Sequence, residues 1–196
     1  LQTAGVNTLR PSISIADGKY SKVAITQEVP QIPTGSKELR IHRLAVGLYD
    51  IKGEKVVLRK SVKVDLEGTS VEVPELVGET QADLLLVNDQ DLSYGKVRLD
   101  DRSIQTLKSH IGYIDDGLTR TVCWSAAWDM LRDAELSATD FLAIVKGGFA
   151  QESDITTVTT LGNQIAGAIE NYAHASKRDS QREEFAAFAE NLMRSA

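Results

Sequence analysis

The chain has 196 residues, 42% hydrophobic and 26% charged, which suits one large or two small folded domains and excludes a disordered polymer. Its formal net charge of −6 is uneven: residues 1–100 carry 13 basic and 14 acidic side chains, residues 101–196 carry 9 and 14. That balance repels phosphate backbones and sets nucleic acid aside, and no apolar run approaches the roughly 18 residues of a membrane span.

The single cysteine, Cys123, allows no internal disulfide and fits a reducing, cytoplasmic setting. There is no charged-then-apolar leader. The first residue is Leu1, so we expect a piece of a longer polypeptide whose sites are shared with other parts.

The first half reads as strands. PSISIA (11–16) alternates Ile13 and Ile15 with serines, Asp17-Gly18 makes a turn, and YSKVAITQEV (20–29) returns as the second arm of a hairpin. Pro30, Pro33 and Gly35 break the pattern into a loop. Alternation resumes from Leu39 to Tyr49, turns at Lys52-Gly53, and continues through the β-branched run 54–66 to Gly68. TSVEVPEL (69–76) is short, and Pro74 places it at an edge or a strand end. The unbroken LLLV inside 83–88 predicts a strand buried on both faces. Six or seven short strands with regular turn signals point to a small antiparallel sandwich. Residues 88–101 join the halves, with Tyr94, Lys96, Val97 and Leu99 as a possible last strand and Asp100 or Asp101 as a helix cap.

From Arg102 the period becomes helical. Ile104, Leu107, Lys108 and Ile111 outline an amphipathic helix ended by Gly112. After Asp115-Asp116 comes LTRTVCWSAAWDML (118–131), apolar nearly all round. Leu118, Val122, Ala126 and Met130 form one stripe, Cys123, Ala127 and Leu131 a second, Trp124 and Trp128 a third. Such a helix must be covered on more than one side, which makes it the centre of the helical layer. Ser137-x-x-Asp140 resembles a capping box ahead of Phe141, Leu142, Val145 and Phe149, and Gly147-Gly148 closes that helix. Asp154 opens a fourth helix, with an apolar face from Ile155 to Tyr172. Ser180-x-x-Glu183 caps a fifth, with Phe185, Phe188, Ala189, Leu192 and Met193 inward. The expected fold is an α+β two-domain chain: an antiparallel β-sandwich over residues 1–90, then an all-α, solenoid-like antiparallel helix stack over residues 100–196.

Motifs that carry chemistry are scarce. Asp89, Asp91, Ser93 and Asp100 fall at calcium-loop positions, but Tyr94 stands where that loop needs glycine, so a polar turn is the better reading. Ser93-Tyr94-Gly95-Lys96 matches S-x-x-K without the companion motifs of a hydrolase. His42, His110 and His174 lack ligand spacing, and no zinc motif or P-loop is present. His42 and His110 are assigned surface or capping roles, and Cys123 a structural one. Trp124 and Trp128 fit core packing better than a ligand groove. Asp115-Asp116 and Glu183-Glu184 are read as helix N-terminal charge rather than an acid–base pair. No catalytic or metal-binding residue is assigned, and no substrate-binding residue can be named.

VNDQDLSYGKVRLDDRSIQTL (87–107), continuing through LTRTVCWSAAWDMLRDAELSATDFLAIV (118–145), resembles the C-terminal portion of the actinobacterial aminopeptidase N family, gluzincin-type zinc metallopeptidases. LQTAGVNTLRP (1–11) is similar to the point where that family's catalytic domain hands over to its small β-domain. The resemblance implies a sandwich as spacer and the first helices of a superhelix that covers the catalytic cleft. It implies zinc in the parent enzyme but none bound here. The partners it implies are the catalytic domain of the same polypeptide and, in the full enzyme, peptide substrates. A stand-alone protein-interaction module is the main alternative, and a separate hydrolase using Ser93 or the acidic pairs is a third.

Overall fold

The computed structural model describes residues 4–30 and 37–195. Pro33, Gly35 and the first three residues of the opening motif lie outside them. Seven strands and five α-helices follow in order among the described residues: β1 (Thr8–Ala16), β2 (Lys19–Glu28), β3 (His42–Lys52), β4 (Lys55–Leu66), β5 (Ser70–Glu72), β6 (Leu84–Val87), β7 (Lys96–Val97), α1 (Asp101–His110), α2 (Gly117–Arg132), α3 (Ala138–Lys146), α4 (Ile155–Gly167) and α5 (Arg178–Ser195).

Two hairpins found the sheets. At Asp17-Gly18 both φ angles are positive, the geometry that matches the twist of β1 and β2. At Gly53 the same requirement joins β3 to β4. One sheet has the order β5-β2-β1-β7, the other β4-β3-β6. Six of these seven strands pair antiparallel, but β7 runs parallel to β1, because the chain crosses from β6 in one sheet to the far edge of the other. β5 is an edge strand and Pro74 begins a short 3-10 turn just after it, as its ring requires.

β3 starts at His42, later than the alternation implied. Leu39 and Ile41 precede it and are exposed, while Ala45 and Gly47 on one face and Leu44, Val46 and Leu48 on the other are buried. Alternation alone cannot tell an extended lead-in from a paired strand. β6 is buried at all four positions, as its unbroken apolar run implied.

The free edge of β6 meets α1. Ser103 Oγ accepts the Leu85 N–H at 2.9 Å and Thr106 Oγ donates to the Asp83 carbonyl at 2.6 Å, so helix side chains satisfy strand groups that would otherwise be bare. Asp100 caps α1, Asp116 α2, Ser137 α3 and Asp154 α4, each accepting backbone N–H bonds.

α2 is covered by β7, α3 and the turns around it, and most of its apolar stripes are buried. Leu118 is the exception, half exposed in the first turn. α4 runs into a π-helical turn, Ala168–Tyr172, whose Tyr172 meets Trp128 edge-on with ring centres 6.0 Å apart. α5 begins at Arg178, before the predicted cap. His174 caps the preceding turn instead, and Ser180 Oγ donates to the Lys177 carbonyl. Phe185 is inward on α5, whereas Ala189 and Met193 are exposed. One hydrophobic core runs without a break from Leu9 and Leu44 in the sheets to Trp124 and Phe141 in the helices. Among the described residues no helix is long and apolar enough to cross a membrane.

Candidate functional site

Two features stand out where sheets meet helices: an acid-floored cleft and a buried ionic clamp. The cleft, about 610 Å³, lies between β3–β4 and the start of α2. Its floor is built by the outer face of β3. Gly47 has no side chain because a Cβ there would fall 2.8 Å from both the Asp89 carboxyl carbon and the Tyr49 ring. That vacancy lets Asp89, just past β6, lie buried against β3 and accept the Tyr49 hydroxyl. The same hydroxyl lies 3.3 Å from Thr119 Oγ, and Thr119 in turn donates to Asp116 Oδ2 at 2.6 Å. A chain of polar contacts therefore links β3 to the α2 N-terminus.

The electrostatics follow from that burial. Desolvation pushes the Asp89 carboxyl above its ordinary range; Tyr49 pulls it partly back, and nearby Asp116 adds to the push. Burial also raises the Tyr49 phenol, further helped by Asp89. Asp116 is held low, chiefly by its bonds to Thr119. Cys123 is fully buried beneath this network and burial drives its thiol up, the opposite of an activated thiolate.

The clamp joins β7 to the segment after α2. Arg98, fully buried, gives Nε to Glu135 Oε1 at 2.8 Å and pairs through its second arm with Asp133. Lys96 holds Asp133 at 2.7 Å and Arg10 of β1 holds Glu135 at 2.8 Å. Burial raises both carboxyls, but these cations outweigh it and leave them below their ordinary values. Ala134 between them takes a positive φ, which turns the chain so that both acids face β7. Sequence reasoning passed over Arg98, Asp133 and Glu135, and read Lys96 only as part of a last strand and of S-x-x-K. The only signal was local: alternating Lys96 and Arg98 on one side, Asp133 and Glu135 on the other.

The remaining candidates scatter. Asp91 accepts from Asn88, Ser93 donates to the Arg43 carbonyl, and Asp100 caps α1, so the calcium-loop residues do not converge. Lys96 is committed to Asp133 and does not reach Ser93's hydroxyl as a base. His42, expected at the surface or as a cap, is buried instead with Nε2 3.2 Å from Gln27 Oε1; burial, and then Arg40, lowers its pKa. It is buried because Leu44, Val46 and Leu48 on the same strand face are buried with it, whereas Arg40 and Arg43 beside it in sequence suggested the surface. His110 sits by Ser109 and His174 caps a turn. Trp124 is buried and donates to Glu152 at 2.9 Å, a carboxylate that also holds Arg120, while Trp128 packs on Phe141 and Tyr172. Asp115 pairs with Lys55 at 3.0 Å and Glu184 with Lys146. Among the described residues no three His, Cys, Asp or Glu side chains are placed to hold a metal ion.

Comparison with known proteins adds two findings. The family model for the ERAP1-like C-terminal domain matches residues 84–196. Aminopeptidase N of Streptomyces lividans is 46% identical over 185 residues, which is 92% of this chain and 22% of that protein. The chain thus spans about a fifth of the length of this relative.

Proposed function

The chain belongs to the ERAP1-like C-terminal domain family, and on that premise we propose that it is the non-catalytic spacer and cover of a zinc aminopeptidase that removes N-terminal residues from peptides. In this reading the sandwich sets the position of the helical layer. The layer covers the active-site cleft of a catalytic domain in the same polypeptide, admits peptides and keeps folded proteins out. A covered cleft also excludes water, which strengthens the electrostatics of the chemistry beneath. The lone buried Cys123 suits a reducing compartment, and we place the enzyme in the cytoplasm.

The observation that carries the reading is the clamp of Arg98 on Asp133 and Glu135, seated in a core continuous from sheets to helices. A cover is useful only if its mount is rigid, and this mount is fixed by buried charge as well as by apolar packing. The α4–α5 end supports the same reading. Ile155 on α4 is 75% and Met193 on α5 73% exposed, large apolar side chains of the kind that a further helix pair covers in a stack. The donor set here does not fit zinc: the histidines lie apart, His42 is spent on Gln27, and Cys123 has a raised thiol. We therefore assign the metal to other parts of the enzyme and route no step of hydrolysis through this chain.

The test uses the full-length enzyme carrying Arg98→Met. kcat/KM is compared for an aminoacyl amide and for a long peptide. A loosened mount should change the long-peptide value while leaving the amide value alone. Equal change in both, or none in either with the clamp shown to be broken, would overturn the assignment.

A further inference from the structure

We propose that the cleft between β4 and the start of α2 binds a basic, partly apolar peptide segment, one that presents an arginine or lysine between aliphatic side chains. This goes beyond the spacer-and-cover reading and is argued from the described residues of this chain.

Shape comes first. At about 610 Å³ the hollow is large enough for several side chains. Leu58 from β4, Leu92 from the loop after β6 and Leu118 from α2 converge on it, and each remains close to half exposed. One exposed leucine is ordinary; three from separate elements around one concavity leave an apolar wall facing water.

Charge then selects the occupant. The lining carries Asp89, Asp115 and Asp116 and no Lys, Arg or His. Asp115 has an exposed partner in Lys55 at 3.0 Å. The hydrogen bonds of Asp89 and Asp116 come from neutral donors, Tyr49 and Ser61 for one and Thr119 for the other. Arg120 is the cation that Asp116 feels, but its guanidinium is committed to Glu152 and the Ile114 carbonyl. A guest cation would relieve the repulsion between Asp89 and Asp116, and the apolar walls would strengthen that attraction by excluding water. A wholly apolar guest would bury carboxylates without compensation, and an anion would be repelled. A bare metal ion has no three-ligand set here.

The probe is a capped pentapeptide of alternating leucine and arginine, titrated into the full-length polypeptide by fluorescence anisotropy and by methyl chemical-shift mapping. The same peptide with citrulline for arginine, and one with glutamate, are the comparisons. Expected are binding of the arginine peptide, at least about tenfold weaker binding of the citrulline form, about 1.4 kcal/mol, and affinity that falls as salt rises. Shifts should centre on Leu92, Leu118 and Thr119. Asp116→Asn keeps a capping oxygen and removes the charge, so it should weaken binding. Leu92→Ser, in an exposed loop, should do so too and carries the test if the first variant fails to fold. No binding at millimolar peptide, equal binding of the glutamate or citrulline form, shifts centred elsewhere, or variants with unaltered affinity would each overturn the proposal.

Discussion

Arg98 is 2% exposed, whereas its partners Asp133 and Glu135 are 29% and 31% exposed, and this asymmetry makes a sharp prediction about which side of the clamp can be removed. The double variant Asp133→Ala/Glu135→Ala strands a guanidinium in the core, a change that costs about 3–5 kcal/mol. Arg98→Met fills the volume of the arginine stem and leaves two carboxylates that water reaches and that Lys96 and Arg10 still hold. Its cost should be only about 1–2 kcal/mol. For a chain of this size those figures correspond to falls in Tm of roughly 6–20 °C and 2–8 °C. Urea unfolding at pH 7 with a shared m value measures both. Both carboxyls are depressed in the fold, so their contribution is present above the unfolded value, about 4, and is lost as pH falls through the folded one. The advantage of the native chain over Arg98→Met should therefore close in acid. An Arg98→Met variant as damaged as the double variant would refute the reasoning.

Asp89 has the opposite sign. Its folded value is raised by burial, so ionisation costs stability, and that cost is absent below about pH 4 and grows as pH rises. Asp89→Asn keeps an acceptor for Tyr49 and should raise Tm at pH 7, with the gain shrinking to nothing below pH of about 4; a gain that persists in acid would contradict this. At Gly147 a Cβ would lie 2.3 Å from the Lys108 carbonyl oxygen, so α1 and α3 must part. Gly147→Ala should cost about 2–3 kcal/mol. Gly162→Ala, in α4 where nothing lies within 4 Å, should instead stabilise by up to about 1 kcal/mol, and thermal melts of the pair check both.

What could be read from the chain was whatever depends on near neighbours. The four-residue run of β6, the three stripes of α2 and the Ser137 cap are local patterns, and each forms where the residues imply. What escaped depends on distant partners. Arg98 meets residues 35 and 37 positions away, and nothing around it in the chain announces burial. His42 looked like a surface residue because its immediate sequence is charged, yet Gln27 receives it from another sheet. The start of β3 and of α5 slipped by a few residues, because Leu39, Ile41 and Ser180 satisfy the periodic pattern without making the pairing or the cap. The cleft was invisible for a related reason: Leu58, Leu92 and Leu118 lie on three elements and become neighbours only when those elements dock.

The hydroxyls of Ser103 and Thr106 on the rim of β6 limit how this molecule can be cut and rejoined. A gene break placed between sandwich and helices would leave the former with a ready template for a stray strand and the latter with stranded hydroxyls. A break before Leu84 only moves the bare edge to β3, whose Val46–Tyr49 pair with β6, so neither cut leaves both pieces satisfied. Grafts should therefore move the β4-β3-β6 sheet and α1 together.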